Sequence, residues 1–242
     1  MKKNIVITGE PKSGKSTLLR QLTEGVGPKI GFVTDEIREG GEQVGFAIET
    51  HLGNRFVLAH VGLDKPIRVS RYSVDVPALE SAIPEVSVFQ SEHLLYLDEI
   101  GQMQLFSQRF RELVLRFLDS SNTCLITLSC VYQDDFISSV KQRADVILIE
   151  ITPENREEQG KFVAALLRKV EKARRYIAEP QRFTRKSINR MELRSEHGIR
   201  QLYFDGRDGG TWKCSCDFYQ QYGICSHTIA TMEFISDCGI RR

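Results

Sequence analysis

The 242-residue sequence has no long hydrophobic run. None of its apolar stretches approaches the roughly 18 residues that a membrane-spanning helix needs, so a membrane bundle is excluded and no membrane partner is expected. It also lacks internal repeats and low-complexity tracts, which excludes solenoid and collagen-like architectures. Its opening stretch offers only Ile5-Val6-Ile7 before a glycine loop, too little for a secretory signal. A cytoplasmic location is therefore expected, and with it reduced cysteines. Net charge is nearly absent, at +1. What remains is ordinary globular composition, 41% hydrophobic and 27% charged, at a length that suits one large domain plus a small one.

The near-zero charge conceals an asymmetry. Residues 1–160 hold 17 Lys and Arg against 23 Asp and Glu, whereas residues 161–242 hold 16 against 9. Opposite signs in two stretches suggest two modules with different partners. The six cysteines are uneven as well. Cys124 and Cys130 stand within an apolar stretch and read as buried small hydrophobes. Cys214, Cys216 and Cys225 crowd beside His227, and Cys238 reads as a bystander.

Short β-branched runs at 4–8, 29–33, 94–97, 123–128 and 146–151 alternate with helical patterns at 14–23 and 105–118. The runs at 4–8, 94–97, 123–128 and 146–151 are nearly continuous, as strands buried on both faces should be, and the alternation predicts a mainly parallel α/β sheet. A hairpin-like insertion is expected around residues 40–60. An amphipathic helix is expected over 157–178, ended by Pro180. Beyond it lie short strand-like runs with glycine turns at Asp205-Gly206 and Asp208-Gly209-Gly210. The expected domains are 1–178 and 179–242.

Gly9-Glu10-Pro11-Lys12-Ser13-Gly14-Lys15-Ser16 follows G-x-x-x-x-G-K-[ST], between a strand and a helix. A polyphosphate needs several inward N–H donors, and a glycine-bearing loop lets the backbone wrap closely enough to supply them. The expected phosphate-binding set is Gly9, Glu10, Pro11, Lys12, Ser13, Gly14, Lys15, Ser16 and Thr17. Lys15 is assigned to the β- and γ-phosphates, and Ser16 to Mg²⁺. Opposite them, the buried run Leu94-Leu95-Tyr96-Leu97 ends in Asp98-Glu99. Asp98 is assigned to the Mg²⁺ and Glu99 to the attacking water, as base or orienter. Secondary candidates are Arg38, Arg143 and Arg156 for the γ-phosphate, each equally suited to an ordinary ion pair. Thr34 and Glu36 suit the nucleotide side of a strand end or a structural turn. Thr127 and Ser129 suit a γ-phosphate contact, although a strand-corner role fits them better.

Gly31-Phe32-Val33-Thr34-Asp35-Glu36-Ile37-Arg38, Gly45-Phe46-Ala47-Ile48, Asp98-Glu99-Ile100-Gly101 with Met103, Leu105, Phe106 and Ser107, and Glu154-Asn155-Arg156 follow in order. Together with the phosphate loop they resemble a small nucleoside-triphosphatase family with thermophilic bacterial and human cancer-related members, over residues 3–165. The resemblance implies a RecA/AAA-like P-loop core and Mg²⁺-dependent hydrolysis of nucleoside triphosphates of several bases. The sequence departs from the family at Gln102 and Gln104, where Lys and Glu are usual, and at Gln43, where Arg is usual. These neutralised positions favour slow or partner-gated turnover. An alternative is therefore a nucleotide-switched nucleic-acid- or protein-binding module with slow hydrolysis.

Cys214-Ser215-Cys216, eight intervening residues, then Cys225-Ser226-His227 gives C-x-C-x8-C-x-H. Ligands two apart on a strand share a face. Three sulfurs and one nitrogen suit tetrahedral Zn²⁺ with no open position, a structural rather than catalytic ion. With Trp212 beside it, the pattern looks like a SWIM zinc finger over residues 187–236, which implies a small zinc-stabilised α+β domain contacting DNA, RNA or protein. Twelve Lys and Arg against four Glu over 161–200 suit a phosphate backbone or a solvated helix face. Tyr203, Phe204, Trp212, Phe218, Tyr219 and Tyr222 are available for stacking on bases, or for the core of so small a domain.

Overall fold

Strand β1 (Asn4–Gly9) is buried along its whole length and runs into helix α1 (Lys15–Thr23) through the glycine loop. Then come β2 (Lys29–Glu39), β3 (Glu42–Thr50), β4 (Arg55–His60), β5 (Arg68–Val69) and β6 (Tyr72–Val74). Helix α2 (Val76–Val86) starts where the Asp75 carboxylate accepts from the Ala78 N–H at 3.2 Å. β7 (Leu94–Ile100) precedes α3 (Gln108–Asp119), capped by the Ser107 hydroxyl on Phe110 N–H. β8 (Cys124–Ser129), α4 (Asp135–Gln142) and β9 (Val146–Glu150) complete the first part. The 22-residue α5 (Arg156–Ile177) starts at a reciprocal cap between Thr152 and Asn155. The remainder is β10 (Phe183–Ser187), β11 (Arg190–Ser195), β12 (Gly198–Asp205), β13 (Thr211–Cys214), α6 (Asp217–Tyr222) and α7 (Ser226–Asp237). This computed structural model describes residues 2–206 and 210–237. Cys238 and the start of the turn at 208–210 lie outside the described residues.

The chain divides into two units, the first spanning Lys3–Lys161 and the second beginning at Phe162. The first holds a nine-stranded sheet in the order β5-β6-β4-β3-β2-β7-β8-β1-β9. β2, β7, β8, β1 and β9 are parallel, and β3 to β6 extend them antiparallel from β2. The expected hairpin insertion is thus larger than the apolar runs indicate. β2 extends to Glu39, and the two- and three-residue strands β5 and β6 are too short to carry a pattern. Phe32, Leu97, Phe110 and Phe117 are fully buried in the main core, with Phe32 and Phe110 rings 5.8 Å apart.

The second unit is a four-stranded antiparallel sheet, β10-β11-β12-β13, with α7 packed on it. Met191, Leu193, Leu202, Ile229 and Ala230 form its apolar centre, and the rings of Phe183 and Phe234 stack 4.1 Å apart. The expected boundary of 178/179 marks the end of α5, whereas the units divide inside that helix. Phe162 stacks on Tyr222 at 4.5 Å and Tyr176 on His227 at 5.9 Å, so the helix from Phe162 onward belongs with the region of the Cys/His cluster. Among the described residues no helix is long and apolar enough to cross a membrane.

Candidate functional site

The parallel strands β1, β7 and β8 all end at one cleft of about 650 Å³, and each delivers a polar group there. β1 delivers the loop. Gly9 has φ +153°, and a Cβ on it would lie 2.2 Å from the Ile151 carbonyl oxygen, so only glycine fits this close approach. Gly14, at φ 96°, is the N-cap of α1 and offers no side chain to the first-turn N–H groups. Those donors and the positive end of the helix are therefore available to an anion. Lys15 is 8% exposed, and its Nζ donates to the loop's own carbonyls, Gly9 at 2.9 Å and Glu10 at 3.2 Å.

β7 delivers the carboxylates. Asp98 is 1% exposed, and its Oδ1 accepts from the Ser16 hydroxyl at 3.1 Å and from the Thr127 hydroxyl. Its Oδ2 is buried and has no hydrogen-bond partner. Burial pushes the Asp98 carboxyl above its ordinary value, opposed by the Thr127 and Ser16 hydroxyls and by the Lys15 charge. Glu99 lies 4.0 Å from Lys15 Nζ, with 35% of its side chain exposed. Burial raises its carboxyl too, against the pull of Lys15 and with the push of Asp98. An orphaned carboxylate oxygen beside a serine hydroxyl is a set of hard oxygen ligands, which fits Mg²⁺.

The loop residues of the expected set line this cleft, except Glu10, which is exposed beside it, and Ser13, which is buried beneath it. Of the arginines, Arg156 lies in the cleft against Gly14, with Nη1 2.6 Å from where a Cβ there would stand. Arg38 instead pairs with Glu36, and Arg143 is held by Asp119 and Asp145 away from the cleft. Thr34 donates to the Asp98 carbonyl at 2.6 Å, and Thr127 fixes the Asp98 carboxylate. Both are parts of the site's frame. Cys124 is fully buried as expected, but Cys130 is not: it follows the end of β8, half-buried in the cleft wall.

Two features escape the sequence. Gln104, read there as a lost charge, is 4% exposed and donates to Thr34 at 3.3 Å, so it braces the residue that braces Asp98. The cleft also has an apolar wall of Phe46, Leu58 and Val69 from β3, β4 and β5, joined by Met103. Phe46 and Met103 carried a signal only as parts of the resemblance, and Leu58 and Val69 carried none.

In the second unit, Cys214, Cys216, Cys225 and His227 place their ligand atoms within 4.8 Å of one another. His227 Nδ1 is 3.6 Å from Cys214 Sγ and 3.7 Å from Cys225 Sγ. These separations fit tetrahedral Zn²⁺, whose bonds are about 2.0–2.3 Å. Cys225 is 1% exposed, and its thiol is pushed up to about 12 by its hydrogen bond with Cys214 and by burial. A thiol placed as Cys225 is carries charge only beside a cation. Thr228 N–H donates to Cys225 Sγ at 3.4 Å and orients it at the start of α7. Much of the basic run is engaged locally. Lys172 pairs with Glu196 at 2.7 Å, Lys186 with Glu192 at 3.0 Å, and Lys169 lies over the Phe218 ring. Trp212 is buried, and Phe218 and Tyr222 pack with Phe162.

Residues 4–164 match an NTPase family profile, and residues 199–235 match that of the SWIM zinc finger. Over 158 residues the chain is 38% identical to "Nucleoside-triphosphatase THEP1" of Thermotoga maritima, covering 63% of this chain and 88% of that protein. Over 175 residues it is 34% identical to the human "Cancer-related nucleoside-triphosphatase", covering 64% and 92%. The crystal structure of THEP1 from Aquifex aeolicus is similar, with a TM-score of 0.62 at 31% identity, over 68% of this chain and 98% of that one. The solution structure of a human cancer-related nucleoside triphosphatase gives 0.59 at 32% identity, over 68% and 97%.

Proposed function

The chain belongs to this NTPase family, and from that premise we propose that it hydrolyses nucleoside triphosphates to diphosphate and phosphate with Mg²⁺, and carries a zinc-held module for a partner. The observation that carries the reading is the buried Asp98, tied to Ser16 and Thr127, with one oxygen unpartnered next to Lys15 and Glu99. Ser16 and Asp98 would hold Mg²⁺, which supplies neutralisation of the phosphate charge. The first-turn N–H groups of α1 hold the phosphates, and Lys15 exchanges the Gly9 and Glu10 carbonyls for phosphate oxygens. Glu99 accepts the proton of the attacking water, and its raised pKa brings it nearer the basicity that task needs. Arg156, beside Gly14, balances charge from the other side of the loop.

Lys15→Ala is expected to weaken nucleotide binding by about tenfold to a hundredfold, the worth of one or two charge-assisted hydrogen bonds. Titration with a fluorescent ATP analogue checks this. Unchanged affinity in a folded variant would remove Lys15 from the site.

For the partner, single-stranded nucleic acid fits best. Tyr203 on β12 is 42% exposed, with the Arg190 guanidinium 5.4 Å from its ring centre, and Arg194 is exposed on the same sheet. An exposed ring with one guanidinium over it and a further exposed cation on the same sheet suits bases and phosphates together. The alternative role, a switch timed by slow hydrolysis, is favoured by the neutral Gln102 beside Met103 in the cleft lining. A cytoplasmic location is proposed with the enzyme role.

A further inference from the structure

The strand order decides which way a bound triphosphate runs. The strands that carry the carboxylates and the loop lie in the order β7-β8-β1-β9. On the triphosphatase reading above, on which this inference rests, the γ-phosphate lies at the β7 end. Ser16 meets Asp98 there at 3.1 Å, and Lys15 meets Glu99 at 4.0 Å. The phosphates then run back over the first turn of α1, and the sugar and base emerge beyond β1, on the β9 side. Phe46, Leu58 and Val69 stand on β3, β4 and β5, beyond β7 in the other direction.

Among the described residues that line the cleft, only Arg156 follows β9. It is the first residue of α5, held near the end of β9 by the cap between Thr152 and Asn155. Its side chain is exposed and lies along Gly14. A Cβ at Gly14 would stand 2.6 Å from both Cδ and Nη1 of Arg156, so only glycine admits the arginine there. Glu157 beside it pairs with Lys161 at 2.7 Å, and among the described residues no carboxylate pairs with the Arg156 guanidinium. Charge alone does not call for this group, since Lys12 and Lys15 already supply cations on the loop. A free guanidinium is also flat and weakly hydrated, and it stacks on π-faces. The aromatic rings of the lining, Phe46 and Tyr132, come from β3 and from the segment after β8, both on the β7 side of the loop.

We infer that the base of the bound nucleotide stacks on the Arg156 guanidinium, and that this contact gives a nucleotide its advantage over bare polyphosphate. The same contact makes the site tolerant of the base. Every base has a π-face, so a stacking cation holds purines and pyrimidines alike. The loop-side lining, which includes Pro11, Lys12, Thr17 and Arg156, has no side-chain amide or carboxylate to read a base edge. Arg156 thus acts on affinity and on base tolerance, at the end of the nucleotide away from Glu99.

The test measures, by isothermal titration calorimetry with Mg²⁺, the affinity of the full-length chain for ADP, GDP, CDP and UDP and for inorganic pyrophosphate. None of these has a γ-phosphate to lose, so binding is read without turnover. Each diphosphate is expected to bind about tenfold more tightly than pyrophosphate, the worth of one stacked cation. Arg156→Lys keeps the charge and loses the plane. Its pyrophosphate affinity is expected to hold while the advantage of the diphosphates shrinks to about threefold or less. Arg156→Tyr keeps a plane and loses the charge, so the advantage is expected to survive in it. Pyrophosphate binding by each variant shows it to be folded. An advantage untouched in Arg156→Lys, or lost in Phe46→Ala instead, would overturn the inference. An advantage lost in Arg156→Tyr as well would overturn stacking as its cause. An unaltered chain that binds pyrophosphate as tightly as the diphosphates would overturn the inference and leave the triphosphatase reading standing. A chain that binds neither diphosphates nor pyrophosphate would overturn the triphosphatase reading itself.

Discussion

Glu99→Gln is expected to keep nucleotide affinity and to cut phosphate release by about 10²-fold or more, the usual contribution of a positioned general base. The substitution preserves shape and removes the proton acceptor. It leaves the groups proposed to hold phosphate and metal, Lys15, Ser16 and Asp98, in place. The pH dependence gives an independent reading. Burial raises the Glu99 carboxyl above its ordinary 4.5 despite Lys15 at 4.0 Å. A base acts only when deprotonated, so kcat/KM, which reports the nucleotide-free site, falls as pH drops through that raised value, and its acid limb lies above pH 4.5. The limb is expected to be absent from the residual rate of the variant. Full turnover in Glu99→Gln, with turnover lost in Asp98→Asn, would show that Glu99 is not the base.

The second large effect concerns the metal. Cys214→Ser, His227→Ala or chelation is expected to unfold β10 to β13 and α7 while β1 to β9 stay folded and hydrolysis continues. The sheet of the second unit has a thin core, centred on Met191, Leu193, Leu202, Ile229 and Ala230, too small to be stable unaided. A structural zinc supplies on the order of 10 kcal/mol, and one lost ligand forfeits much of it. Hydrogen exchange followed by mass spectrometry reads the units separately, and metal analysis is expected to give one Zn²⁺ per chain. A reduced, metal-free preparation with β10 to β13 still protected would refute the zinc site. Loss of hydrolysis on zinc removal would couple the units and favour the switched module.

The phosphate loop, the Asp98-Glu99 strand end and the Cys/His cluster were legible because their chemistry constrains residue type at fixed spacing. Gly9 and Gly14 stand where the backbone tolerates no side chain or needs positive φ, and the two-residue spacing brings Cys216 beside Cys214 although only Cys214 is on β13, Cys216 being the N-cap of α6. The parallel strands were legible because burial on both faces makes their apolar runs continuous. Helix α2 has no clear helical pattern in the sequence because Pro77 and Pro84 interrupt it, one in the first turn and the other near the C-terminal end. Gln104 was misread because its role depends on Thr34, 70 residues away. The apolar wall was invisible for the same reason: Phe46, Leu58 and Val69 come together only through the antiparallel extension. The division inside α5 has no compositional mark, since one helical pattern serves both units.

The most direct test of the enzymatic reading is multiple-turnover phosphate release by the zinc-loaded chain from ATP, GTP, CTP and UTP with Mg²⁺, in the absence of any nucleic acid. The account predicts steady release of many phosphates per chain from more than one of the four nucleotides. Release that stops at a single phosphate per chain, or that begins only when DNA or RNA is added, would contradict it.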